Sequence, residues 1–288
     1  MTESAFPPRL SCDCHVHIVG PKSVFPLGAQ RSYTPMDATA DDLAAMLRRT
    51  GAERAVIVQP SIYGHDNGCL IHALDVLGDS ARGVAVVGDD CPASESDRLH
   101  KAGVRGLRVN LISSGRADIA DARARLLAAV SRCERNGWHV QLFAEPSLLV
   151  ALADVVGQLD TTVVLDHFAM VKVEDGAVPA AIRKLQETGR VFVKLSAPYR
   201  VADRIDHPDV RRLALAFAAV PHSVVWGSDW PHTPPHNSSA AASSEEVPYR
   251  DIPTKQLLDA VAEWFPDPAM QKRVLVDNPA RLYDWPAG

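Results

Sequence analysis

Short apolar, β-branched runs recur along the chain at residues 10–18, 54–59, 83–87, 105–110, 138–143, 161–166, 190–195 and 223–227. Between most of them the apolar positions change to a helical spacing. Near-continuous apolar strands that alternate with helices mark a parallel sheet covered by helices, because both faces of each strand are buried. Eight such strands in 288 residues predict an α/β fold, a (β/α)8 barrel, whose usual size is about 250 residues. No composition break marks a linker. Residues 1–288 are therefore expected to form one domain, with the barrel core running from about 10 to 285.

The helices between the strands have legible ends. Thr39 caps one that carries Leu43, Met46 and Leu47 and stops at Gly51. Residues 121–136 keep Leu126, Leu127, Val130 and Cys133 on one stripe before Gly137. Residues 146–159, 179–188 and 208–219 read as three more, the last two closed by Gly189 and Pro221. Residues 233–253, rich in Pro, Ser and Ala, predict a long loop after the eighth strand. In a barrel such a loop lies beside the mouth, as a lid or as a plain surface insertion. Asp277 before Asn278-Pro279 reads as a helix start that closes the fold.

The first strand carries the earliest chemistry. Side chains alternate faces along a strand, so Asp13, His15 and His17 are expected on one face and Cys12, Cys14 and Val16 on the other. Two imidazoles at i, i+2 aim into one space. They ligate a metal there, donate to one substrate oxygen, or serve as ordinary core histidines. The two cysteines read as small buried hydrophobes.

Charge and composition narrow the partners. A net charge of −5 and no basic run argue against nucleic acid and against an anionic membrane surface. No segment reads as a signal peptide or a membrane span. Cys12, Cys14, Cys69, Cys91 and Cys133 are an odd set without a disulfide spacing, as expected of reduced thiols in a cytoplasmic protein. The oligomeric state, monomer or homodimer, stays open.

Barrel active sites lie at the C-terminal ends of the strands. Those ends carry His15 and His17, then Ser61 with His65-Asp66-Asn67, then Arg108 and Asn110, and Phe143 and Glu145. The later strands add Asp166 and His167, Lys194, Ser196, Tyr199 and Arg200, and finally Ser228, Asp229 and His232. Three histidines and an aspartate from the first, sixth and eighth strands form a narrow coincidence.

His15-x-His17, Asp166-His167 and Trp226-Gly-Ser-Asp229-Trp-Pro-His232 resemble the amidohydrolase superfamily. Asp13-Cys-His-Val-His17 with Gly20-Pro21, Val56-Ile-Val-Gln59, Arg108-x-Asn110, Lys194 to Arg200 and Asn278-Pro-x-Arg-Leu-Tyr283 are similar to its 2-pyrone-4,6-dicarboxylate lactonase branch. The resemblance implies hydrolysis of a small acidic lactone, such as that dicarboxylate or a muconolactone, in aromatic-compound catabolism. It implies Asp229 as the general base for water, and His15, His17 and His167 as the group that polarises the carbonyl. Tyr33, Ser61, Arg108 and Arg200 would bind the substrate, with His232 beside them. Arginine pairs with carboxylates through two parallel hydrogen bonds, so two arginines in one mouth suit an acidic ligand. Alternatively, Arg108 pairs with a strand-end carboxylate such as Glu145, and Asp229 orients His232.

Two positions depart from the branch. Ser113-Ser114-Gly115 stands where it carries a further arginine, and Phe143 where it carries a tyrosine. The lactone reaction is thus better supported than the dicarboxylate itself. The fourth and fifth strands lack the bridging lysine and histidine of binuclear relatives. Catalysis without a divalent ion is expected, as the branch implies. The alternative is one Zn²⁺ or Mn²⁺ held by His15, His17, His167 and Asp229. The competing functions are a mononuclear zinc decarboxylase of the same superfamily and a catalytically silent binding barrel.

Overall fold

The computed structural model describes residues 6–29, 31, 33–112, 118–234 and 245–286. Eight parallel strands run in chain order through one sheet: Cys12–Val16, Arg54–Val58, Ala81–Ala85, Val104–Asn110, His139–Phe143, Val163–Leu165, Val191–Ser196 and Val224–Gly227. The ends of the sheet meet. Val16 bridges Trp230 in parallel, His17 N donates to Trp230 O (2.8 Å), and Asp229 N donates to His15 O (2.9 Å). Barrel closure thereby seats Asp229 against the two histidines of the first strand. Gly227 permits it, since a Cβ there would stand 2.7 Å from His15 N. The predicted (β/α)8 barrel is the observed fold.

Helices fill the outside. Ala40–Thr50 opens with a capping box between Thr39 and Asp42 and ends at left-handed Gly51 (φ +85°). Asp118, three residues earlier than the expected start, caps Ile119–Glu134 by accepting from Asp121 N. The stretch expected over 146–159 breaks into Pro146–Ala151 and Ala153–Gly157. Gly68–Leu77, Ala93–Lys101, Ala180–Glu187 and Pro208–Ala218 complete the alternation. The third strand starts two residues before its expected position, because Ala81 and Arg82 already pair with Ala55 and Val56. Asp277 makes no capping bond. Asn278 does the closing instead, donating to Val224 O (2.7 Å) and Pro221 O (2.9 Å).

Two apolar layers result. Outward residues such as Val16, Ile57, Leu107 and Leu165 join the helices in one large core. Cys12, Cys14, Val56, Val58, Val84, Val164, Phe192 and Val225 form a second cluster with Tyr283 and Trp285. This corrects the alternation expected of the first strand. Its register shifts between Asp13 and Val16, and a strand irregularity breaks the strict period of two. Cys12 and Cys14 stay together, as the alternation predicts, while Val16 parts from them and joins the outer core. Asp13 leaves the histidine group, its Oδ1 accepting from Ser228 N (2.8 Å) and His15 N (3.2 Å).

Of the loop expected over 233–253, residues 235–244 lie outside the described ones, so the lid reading lies there too. Its far end is anchored: Glu246–Val247 pairs in parallel with Thr34–Pro35, and the Tyr249 hydroxyl donates to Met36 O.

After the sixth strand, His167, Phe168, Ala169 and Met170 are all left-handed, with φ of 50°, 53°, 51° and 57°. Non-glycine residues resist this conformation by about 1–2 kcal/mol each. All four are buried, so packing over-determines a turn that local preference opposes. Ala169→Gly is expected to raise Tm by about 2 °C, since relief of Cβ strain outweighs the entropy glycine adds to the unfolded chain. Thermal unfolding followed by circular dichroism checks it.

Candidate active site

The C-terminal ends of the first, sixth and eighth strands converge on one oxygen. Asp229 Oδ1 lies 3.3 Å from His17 Nε2, 3.6 Å from His15 Nε2 and 4.0 Å from His167 Nε2. The other carboxylate oxygen, Oδ2, accepts from the Tyr199 hydroxyl (2.7 Å) and from Arg200 Nε and Nη2 (3.0 and 2.9 Å). Burial alone would raise the pKa of Asp229. Arg200, then the histidines, outweigh it and hold the carboxyl well below the usual carboxylate range. The group is an anion with one oxygen anchored and one turned to the imidazoles.

Each histidine is fixed from behind. His17 Nδ1 sits 2.7 Å from Val58 O. A carbonyl only accepts, so that nitrogen carries the proton. His167 Nδ1 meets Ser196 Oγ at 2.9 Å. His15 Nδ1 lies 3.4 Å from both Asp166 Oδ1 and Lys194 Nζ. Burial pushes His167 down to about 3, and burial followed by the Lys194 charge pushes His15 well below its ordinary value. Both rings are neutral at pH 7.

Tyr33, Ser61, Arg108, Asn110, Phe143, Arg200 and Thr233 line a narrow cup with His17 and His167. Of the expected binding residues, Tyr33, Ser61, Arg108 and Arg200 are thus brought together. His232 is not: it lines a separate cleft with Tyr249 and Arg250, its Nε2 2.9 Å from Thr254 Oγ1. Asp229 meets it only through the backbone, accepting from His232 N. Glu145 is exposed. The carboxylate beside Arg108 is instead Asp166, 3.7 Å from Nε, while Arg108 Nη1 donates to Gln59 O and the guanidinium lies over the Phe143 ring. Asp66 serves a local turn, Asn67 ties its loop to the backbone of Val86, and His65 lines another cleft. Ser114 lies outside the described residues.

Gln141 is the functional candidate that strand-end reading missed. It sits mid-strand, donating to Asp166 Oδ2 (3.0 Å) and accepting from Lys194 (2.6 Å). A polar side chain inside an otherwise apolar strand was the available signal.

The buried neutral histidines set an acid limit on stability. His139, His167 and His232 are lowered by burial to about 3, 3 and 4. Unfolding returns them, and His15, which burial also lowers, to about 6.5, so the unfolded state binds about four more protons near pH 5. Asp13, raised by burial to about 6, opposes with one. The net difference of about three makes stability fall with acid by about 4 kcal/mol per pH unit around pH 5. Urea midpoints between pH 7 and 5 measure this; a flat profile would contradict neutral burial of the rings.

A barrel with paired strand-one histidines, a strand-six histidine and a strand-eight aspartate is of amidohydrolase type, and the sequence model of the family described as Amidohydrolase matches residues 12–285. The chain belongs to that family. It is 33% identical to a 2-pyrone-4,6-dicarboxylate hydrolase of Comamonas testosteroni, over 97% of this chain and 91% of that one. It is 32% identical to a 4-sulfomuconolactone hydrolase of Rhizobium radiobacter, over 96% and 90%. Among solved structures, a probable 2-pyrone-4,6-dicarboxylic acid hydrolase from Acinetobacter baumannii with citric acid bound matches with a TM-score of 0.76 at 25% identity. That match covers 96% of this chain and 100% of the other. Among the described residues no helix is long and apolar enough to cross a membrane.

Proposed function

We propose that the protein is a hydrolase that opens the ester bond of a small lactone bearing an acidic group, with Asp229 as the base. The observation that carries this reading is the convergence of three imidazoles on the buried Asp229 Oδ1, two of which, His17 and His167, line a cup with Arg108 and Arg200. The named substrates of the two relatives above, a pyrone dicarboxylate and a sulfonated muconolactone, are both acidic lactones.

In this mechanism Arg108 and Arg200 take the acidic group, while Tyr33 and Ser61 meet the ring. Water lies against Asp229 Oδ1, which takes its proton as the oxygen attacks the lactone carbonyl. An Nε2–H of His15 or His167 stabilises the oxyanion, since His17 carries its proton on Nδ1. Its collapse breaks the ring C–O bond, and the proton held by Asp229 passes to the leaving oxygen. Product is an open-chain acid.

The same residues fit a single divalent ion. His15, His17 and Asp229 offer ligand atoms within 4.8 Å of one another, and His15 Nε2 and Asp229 Oδ1 are buried without a hydrogen-bond partner. With Nδ1 held by Val58 O, His17 turns Nε2 to Asp229 Oδ1 at 3.3 Å, a contact that a proton or a cation between them would satisfy. A bound Zn²⁺ or Mn²⁺ would supply a Lewis acid for the carbonyl. Each step above is written for the protein's own groups, and turnover is expected to survive exhaustive chelation.

The test is a hydrolysis screen over carboxylated pyrones and carboxylated and sulfonated muconolactones, with and without chelator, following loss of lactone absorbance. Turnover of at least one acidic lactone is expected. Tight binding without turnover across the panel would leave a binding barrel. Activity lost on chelation and restored by zinc would assign the carbonyl to an ion.

A further inference from the structure

Beneath the cup lies a cation that the hydrolysis steps do not use. Lys194 is fully buried on the seventh strand. Its Nζ donates to Gln141 Oε1 at 2.6 Å, lies 3.7 Å from Asp166 Oδ1, and reaches His15 Nδ1 at 3.4 Å. We propose that Lys194 is a positioning residue that fixes the tautomer of His15, holding its proton on Nε2 so that the ring presents a donor to the cup.

The argument is one of donors and acceptors. An ammonium has three N–H groups and nothing to accept with. Three neighbours stand around Nζ: the Gln141 amide oxygen, the Asp166 carboxylate and His15 Nδ1. Gln141 cannot flip, because its Oε1 takes the lysine while its Nε2 donates to Asp166 Oδ2 at 3.0 Å. That amide anchors Nζ at a fixed place below the His15 ring. Two groups then compete for Nδ1 at equal distance, Lys194 as donor and Asp166 as acceptor. The lysine contact satisfies hydrogen-bond geometry, whereas Asp166 Oδ1 has no hydrogen-bond partner. A Nδ1 that accepts leaves the ring proton on Nε2, which faces Asp229 Oδ1 at 3.6 Å. From there it can turn to an oxyanion. With the lysine removed, Asp166 alone addresses Nδ1, the proton moves to that side, and Nε2 offers a lone pair. Lys194 thus decides whether His15 is a proton donor or a metal ligand.

The readout is the long-range ¹H–¹⁵N correlation of histidine-labelled protein, recorded without substrate or metal. His15 is expected as the Nε2–H tautomer in the wild type and as Nδ1–H in Lys194→Met. Zn²⁺ added alone should bind the variant about 10-fold more tightly, on the scale of altered support behind a ligating histidine. Should Lys194→Met not fold, Gln141→Met, which lets Nζ swing onto Asp166, is read by the same signal with the same expected shift. A wild-type spectrum with Nδ1–H at His15, or a folded variant that keeps Nε2–H, overturns the proposal. The kinetic consequence rests on the lactonase reading: kcat in Lys194→Met falls about 10–100-fold while KM stays within about twofold. The tautomer is measured on the free protein, so a failure of the lactonase reading leaves that result standing.

Discussion

Asp229→Asn is expected to reduce kcat by about 10³-fold or more while an acidic lactone still binds within a few-fold of the wild-type affinity. The amide is isosteric with the carboxylate, so the cup keeps its shape. What is lost is the basic oxygen that accepts the water proton, and positioned general bases contribute roughly 10²–10⁴-fold. The anion also balances Arg200, whose Nε and Nη2 both end on Oδ2. Leaving a buried guanidinium without its partner costs about 3–5 kcal/mol, so Tm should fall as well. Kinetics are therefore to be measured well below the variant's own transition. Turnover within tenfold of wild type in a folded Asp229→Asn protein would remove Asp229 from the chemistry.

The second large effect is expected at Arg108. Its guanidinium lines the cup over Phe143 and keeps Nε without a hydrogen bond, only the longer contact to Asp166. A hydrogen bond to a charged group contributes about 1.5–3 kcal/mol. Arg108→Met should accordingly raise KM for an acidic lactone by about 10–150-fold. An uncharged lactone should be affected far less, because no anion meets the missing cation. Equal losses for charged and uncharged substrates would mean that Arg108 acts through Asp166 and the barrel interior, not on the ligand. Glu145 offers no such competing partner, being exposed.

The geometry also explains why Arg200 and Tyr199 are bound to the base. Both hold Oδ2, so only Oδ1 is turned toward the imidazoles. One carboxylate thereby has an anchored side and a working side. The same contacts keep it ionised. Arg200 also donates to Thr233 Oγ1, and in the proposed mechanism it meets the substrate's acid group beside that residue.

Sequence alone determined the alternation of strands and helices, the direction of the sheet and the list of polar strand ends. These follow from local periodicity and from caps such as Thr39, which need no distant partner. It also brought His15, His17, His167 and Asp229 into one group through their motifs. Other features depended on contacts between remote segments. The shift in the first strand appears only when that strand pairs with Arg54–Val58, and it moved Asp13 out of the histidine group and Val16 away from the two cysteines. The left-handed turn at His167–Met170 runs against the preference of each of its residues and exists because burial enforces it. His232 sits three residues from Asp229, yet the chain turns at both (φ 64° and 69°) and carries it to another cleft. Gln141 and Lys194 read as polar residues set in largely apolar strands. Barrel closure alone brings them together with Asp166 under His15, because a buried donor and a buried acceptor find each other only once water has been excluded from both.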